Sequence, residues 1–61
     1  MRQSTKDKIN ELIGEDFESI PSGTIYNGKL ELWDEYGMTE EAKFLIRHGV
    51  ITLAGNRYIY L

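Results

Sequence analysis

Sixty-one residues, 41% hydrophobic and 28% charged, have the size and composition of one small globular domain rather than of a disordered tail. Seven Lys/Arg against ten Asp/Glu leave a net charge of −3, which argues against a protein that coats nucleic acid or anionic membrane through unselective charge. With no cysteine there is no disulfide scaffold and no thiolate metal site.

The first predicted element is a helix over 4–13. Ser4-Thr5-Lys6-Asp7 has the spacing of a capping box, Ile9, Leu12 and Ile13 recur at helical spacing, and Gly14 is a stop. Pro21-Ser22-Gly23 marks a turn. The middle of the chain admits two readings. Asn27-Gly28 between strand-like runs (Ile25-Tyr26 and Lys29 to Trp33) is a hairpin signal. Alternatively, Gly28 to Tyr36 forms a short helix that ends at Gly37.

The last twenty residues predict a helix over 39–48 and a hairpin over 50–61. Thr39 caps the helix, Glu40 and Glu41 occupy its first turn, Arg47 and His48 its last, and Gly49 stops it. Ala42, Leu45 and Ile46 supply its inner stripe, with Phe44 at the margin. Val50-Ile51-Thr52-Leu53 and Arg57 to Leu61 are the strands, joined by Ala54-Gly55-Asn56. Strand alternation puts Tyr58 and Tyr60 on one face, Ile59 and Leu61 on the other.

The expected class is therefore α+β, one domain over 1–61. It is either a winged-helix-like arrangement with a short middle element, or an α-ββ-α-ββ order with a four-stranded antiparallel sheet. A domain this small buries only about 60% of the surface its unfolded chain exposes, so a homodimer is one way to complete its core. The longest apolar run, Tyr58 to Leu61, is far short of the roughly 20 residues that span a bilayer. Met1 to Lys6 lacks the apolar stretch of a signal peptide, which makes the cytoplasm the expected setting.

From Ile20 to Leu61 the chain resembles the winged helix-turn-helix domains that open GntR-type bacterial transcription regulators. The residues that carry the resemblance are Pro21-Ser22-Gly23, Leu32 to Thr39 (LWDEYGMT), Gly49-Val50-Ile51 and Gly55-Asn56-Arg57-Tyr58. It implies a recognition helix followed by a wing. Here the segment from Thr39 to Gly49 is about one turn shorter than the family's recognition helix. Glu40 and Glu41, which repel phosphate, stand where base-reading side chains usually begin.

Charge is uneven along the chain. All ten acids lie before Ala42, while residues 42–61 hold Lys43, Arg47, Arg57 and His48 with no acid. On a winged helix, Lys43, Arg47, His48, Asn56 and Arg57 would contact double-stranded DNA, mainly through phosphates. The plainer account is that bases in a helix's last turn complement its dipole. Glu31, Asp34, Glu35, Glu40 and Glu41 fall within eleven residues. They read either as a solvated face or as a negative patch that docks a basic surface of a host protein, as small acidic phage inhibitors do.

Trp33, Tyr36, Tyr58 and Tyr60 read first as core or dimer contacts, with base stacking as the alternative. One histidine, no cysteine, no Gly-rich phosphate loop and no nucleophile signature around Ser4, Ser19 or Ser22 argue against an enzyme, and no cofactor or metal is expected. Two functions follow. The first is a DNA-binding accessory or regulatory protein of phage or mobile-element type; the second is an acidic protein-binding inhibitor or adaptor. A helix over 29–36 would sustain the first, and a strand there would remove its helix-turn-helix basis.

Overall fold

Ile9 and Ile13 on one helix meet Ala42 and Leu45 on another across a single core that Leu32, Val50, Ile51, Tyr58 and Tyr60 complete. The computed structural model describes residues 1–61. Its elements are α1 (Gln3–Ile13), a 3-10 turn (Phe17–Ser19), β1 (Trp33–Asp34), β2 (Gly37–Met38), α2 (Glu40–Arg47), β3 (Ile51–Ala54) and β4 (Arg57–Tyr60). The class is α+β, and no helix is long and apolar enough to cross a membrane.

The helix start expected at Ser4 lies one residue earlier. Arg2 occupies the N-cap with no side-chain hydrogen bond, and Ser4 and Thr5 lie inside the first turn. No capping box forms; Gln3 instead donates its side-chain N–H to the Asp7 carboxylate at 2.9 Å, one turn ahead. Gly14 ends α1 as expected, at φ +81°, a conformation that favours glycine. The Asn10 side chain then accepts the Phe17 N–H at 3.0 Å and folds the chain back over the helix end.

Neither reading of the middle survives unchanged. No helix forms over 28–36, because the carbonyls it would use are taken by other donors. Leu30 O accepts the Tyr26 hydroxyl at 2.9 Å, Glu31 O the Thr39 hydroxyl at 3.2 Å, and Leu32 O the Thr39 N–H at 3.1 Å. The short helix expected ahead of the recognition helix is thus absent.

The order helix, hairpin, helix, hairpin does occur, but the turn is not at Asn27-Gly28. It lies at Glu35-Tyr36, pairing Trp33 with Met38 and Asp34 with Gly37. The Asp34 carboxylate accepts the Tyr36 N–H at 2.8 Å, and Gly37 supplies φ +108°. The two hairpins form separate two-stranded sheets, so the four-stranded sheet is not formed.

The second half follows expectation closely. Thr39 caps α2 by accepting the Ala42 N–H at 3.2 Å, and His48 stands at the C-cap. In the last hairpin Ala54 pairs with Arg57, so the connection is the two-residue turn Gly55-Asn56 rather than three residues. Gly55 at φ +68° in the first central position fits a type II′ turn. Tyr58 and Tyr60 face inward and are buried.

One further segment joins this sheet. Gly23 donates its N–H to Tyr60 O, Tyr60 to Thr24 O, and Tyr26 to Tyr58 O, each at 2.8 Å. Residues 23–26 therefore run along the free side of β4, with an antiparallel bridge between Ile25 and Ile59.

Candidate functional site

The β1–β2 hairpin gathers unusual side chains for so small a surface. Trp33 is 45% exposed and Tyr36 90% exposed, although both are large apolar rings. Glu31, Asp34 and Glu35 lie on and beside this hairpin, and Glu40 and Glu41 follow in the first turn of α2. Thr39 holds the two parts together, since its hydroxyl caps α2 and also donates to Glu31 O. All five carboxylates are exposed. Only Glu40 is ion-paired, to Lys43 at 3.4 Å; the chain's other ion pair, Lys6 to Glu18, lies elsewhere. Three unpaired carboxylates, Glu31, Asp34 and Glu35, thus lie on and beside the hairpin that carries the two exposed aromatic rings.

Trp33 is not free to swing. Its ring packs on Tyr58 with centroids 5.0 Å apart, tilted by 42°. Next to this pair opens a cleft of about 300 Å³, lined by Tyr26, Leu30, Trp33 and Tyr58 and by the polar residues Glu31, Asn56 and Arg57. Tyr58 is only 4% exposed, and its hydroxyl is the one buried side-chain polar atom without a hydrogen-bond partner. Burial raises the Tyr58 hydroxyl pKa above the ordinary value of 10.0. Burial also raises that of Tyr26, with the Glu31 carboxylate adding to it, and that of Tyr60, with Tyr26 and Glu15 adding.

The five residues expected on DNA fall into two groups. Lys43 is paired with Glu40, Arg47 lies in the last turn of α2, and the His48 ring packs edge-on against Phe44 at 4.6 Å. Phe44 also carries the Lys8 ammonium 4.8 Å from its ring centre. Asn56 and Arg57 instead line the cleft beside Trp33 and Glu31. No hydrogen bond, ion pair or shared cleft links the two groups. Of the five acids, Glu31, Asp34 and Glu35 lie on and beside the β1–β2 hairpin, while Glu40 and Glu41 line a separate cleft with Lys8, Leu12 and Phe44.

Trp33 stands out by residue type and Tyr58 by strand alternation, but their contact crosses from one hairpin to the other and has no local signature. No three His, Asp or Glu side chains converge to hold a metal ion. Comparison with protein families, with curated proteins and with solved structures found no match.

Proposed function

We propose that this chain is a small protein-binding adaptor or inhibitor, and that its acidic, aromatic hairpin docks on a basic surface of a second protein. The observation that carries this reading is the exposure of Trp33 and Tyr36 among carboxylates that have no internal counterion. Trp and Tyr are the residue types that concentrate binding energy at interfaces, and exposing such rings to water is unfavourable unless a partner covers them. Unpaired acids around them favour encounter with a basic patch and disfavour an acidic one. The hairpin is also held in place before binding, by the Trp33–Tyr58 contact and by Thr39, so less ordering is needed on association.

The test compares affinity capture by the natural chain, by a Glu31→Lys, Asp34→Lys, Glu35→Lys triple variant and by an Arg47→Glu, Arg57→Glu double variant. The expected result is a partner, identified and then purified, that binds the natural chain and the double variant but not the triple variant, with the far-UV circular dichroism of all three alike. Binding should weaken as salt rises from about 50 mM to about 200 mM, because exposed charges are screened. A partner retained by the triple variant overturns the reading.

A second reading, double-stranded DNA contacted through Lys43, Arg47, His48, Asn56 and Arg57, keeps one supporting observation. Arg47 and Arg57 have no ion pair, and they lie on a helix followed by a hairpin, as on the wing of the resembled family. An amide NMR titration with a mixed-sequence duplex tests it. Shifts confined to those five residues and lost at about 200 mM salt would favour DNA over a protein partner.

A further inference from the structure

We infer that the cleft beside Trp33 is a socket for an arginine side chain of the basic partner; the inference rests on the docking reading above and names what that surface recognises.

The cleft offers two things at once. Trp33 packs on Tyr58 at 5.0 Å yet remains 45% exposed, so part of its ring is open to a ligand. Glu31, which also lines the cleft, carries a carboxylate that no cation of this chain pairs with. A guanidinium answers both: it is planar and weakly hydrated enough to stack on an indole, and it matches a carboxylate with two N–H groups. A lysine ammonium satisfies the charge but not the stacking geometry. A phosphate or nucleotide would find one cation in the cleft, Arg57, but would also meet Glu31 there and Asp34 and Glu35 next along the chain, all of its own sign.

Size agrees with this assignment. About 300 Å³ lies at the lower bound of ligand pockets, which suits one side chain rather than a whole cofactor. Arg57 lines the same cleft without forming an ion pair to Glu31. It is therefore a like charge that the incoming arginine must tolerate, and its removal should help.

Trp33 is the only tryptophan, so its fluorescence reports on the cleft alone. The probes are blocked peptides of three arginines spaced by glycine, and the same peptides with lysine or with neutral citrulline in place of arginine. The arginine peptide should give a saturable change. The lysine peptide should bind roughly 2- to 5-fold more weakly, the factor expected from a cation–π contact at an exposed site, and citrulline should give no saturable change. Glu31→Gln, an exposed and conservative change, should weaken the arginine peptide, and Arg57→Ala should strengthen it. An arginine peptide that leaves Trp33 unmoved, or one that citrulline matches, overturns the socket.

The two proposals fail separately. If the triple charge reversal abolishes partner capture while the arginine peptide is silent, the docking face stands and the socket falls. If the peptide binds and Glu31→Gln weakens it, but no basic partner is captured, the socket stands without the docking reading.

Discussion

Trp33 on the first hairpin lies against Tyr58 on the last, ring centres 5.0 Å apart, and this pair fastens the exposed acidic hairpin to the buried core. The β1–β2 ladder has only two residue pairs and could not stand alone. Its position depends on Trp33 at one end and on Thr39 at the other.

Trp33→Ala should destabilise the fold by about 2–4 kcal/mol, combining an aromatic pair of about 0.5–1.5 kcal/mol with the apolar area that a half-exposed ring still buries. Urea unfolding followed by far-UV circular dichroism measures this. A change within about 0.5 kcal/mol, the range of an ordinary surface substitution, would show that the pair fastens nothing.

Thr39→Ala removes one hydroxyl that does two jobs, capping α2 and holding Glu31 O. Loss of a helix cap costs about 0.5–2 kcal/mol and the second hydrogen bond about 0.5–1.5 kcal/mol, so about 1–3.5 kcal/mol is expected in thermal or urea unfolding. Thr39→Ser, which keeps the hydroxyl, should retain most of the stability. If the serine variant is as weak as the alanine variant, the hydroxyl is not the cause.

Gly28 is where the Tyr26 ring passes closest to the backbone. A Cβ there would stand 2.7 Å from the Tyr26 hydroxyl oxygen and 2.8 Å from the ring carbon that bears it. The ring cannot yield freely, since its hydroxyl donates to Leu30 O and its centre lies 6.1 Å from that of the Tyr60 ring, tilted by 48°. Gly28→Ala should therefore cost about 1–3 kcal/mol, as overpacking does, and shift the amide resonances of Leu30 and Glu31. Wild-type stability with unshifted resonances would show that the loop absorbs the methyl group.

Tyr26, Tyr58 and Tyr60 all have hydroxyl pKa values raised by burial above the ordinary 10.0. Above that pH the unfolded chain releases protons that the folded chain keeps. Stability is therefore complete below pH 10 and falls as pH rises from there toward the raised values. Tyr58→Phe should make this alkaline loss smaller. At neutral pH it should leave stability unchanged or raise it by up to about 1 kcal/mol, because the hydroxyl it removes has no partner. Urea midpoints measured on both sides of pH 10 decide it; an undiminished alkaline loss in Tyr58→Phe would assign the effect elsewhere.

The elements that could be read in advance were those whose signals are local. Gly14, Thr39, Gly49 and the Gly55-Asn56 turn each act on their immediate neighbours, and α1, α2 and the last hairpin lie where those residues put them. The start of α1 was misplaced because Ser4 and Thr5 offer hydroxyls that the backbone does not use.

The middle was harder because two turn signals compete there. Asn27-Gly28 is the stronger in isolation, yet Gly28 serves a close approach by Tyr26. Asp34 and Gly37, the first and fourth residues of the turn, mark the hairpin that forms, as Asp and Gly commonly do at those positions. Of the candidate site, the acidic cluster was legible because its members are close in sequence. The pairing of Lys43 with Glu40 follows from i, i+3 spacing on one helix. The cleft was not legible, since it joins residues 26–33 to residues 56–58 through tertiary packing.

Residues 23–26 lie along one side of β4 and β3 along the other, so the last element of the fold is also its central strand. A chain synthesised from its N-terminus has α1, α2 and β3 before it has the strand that joins them. Without β4, Gly23, Thr24 and β3 have no partners, and of the two sheets only the β1–β2 hairpin can form. The sheet that holds both halves of the chain together therefore closes only when β4 is in place.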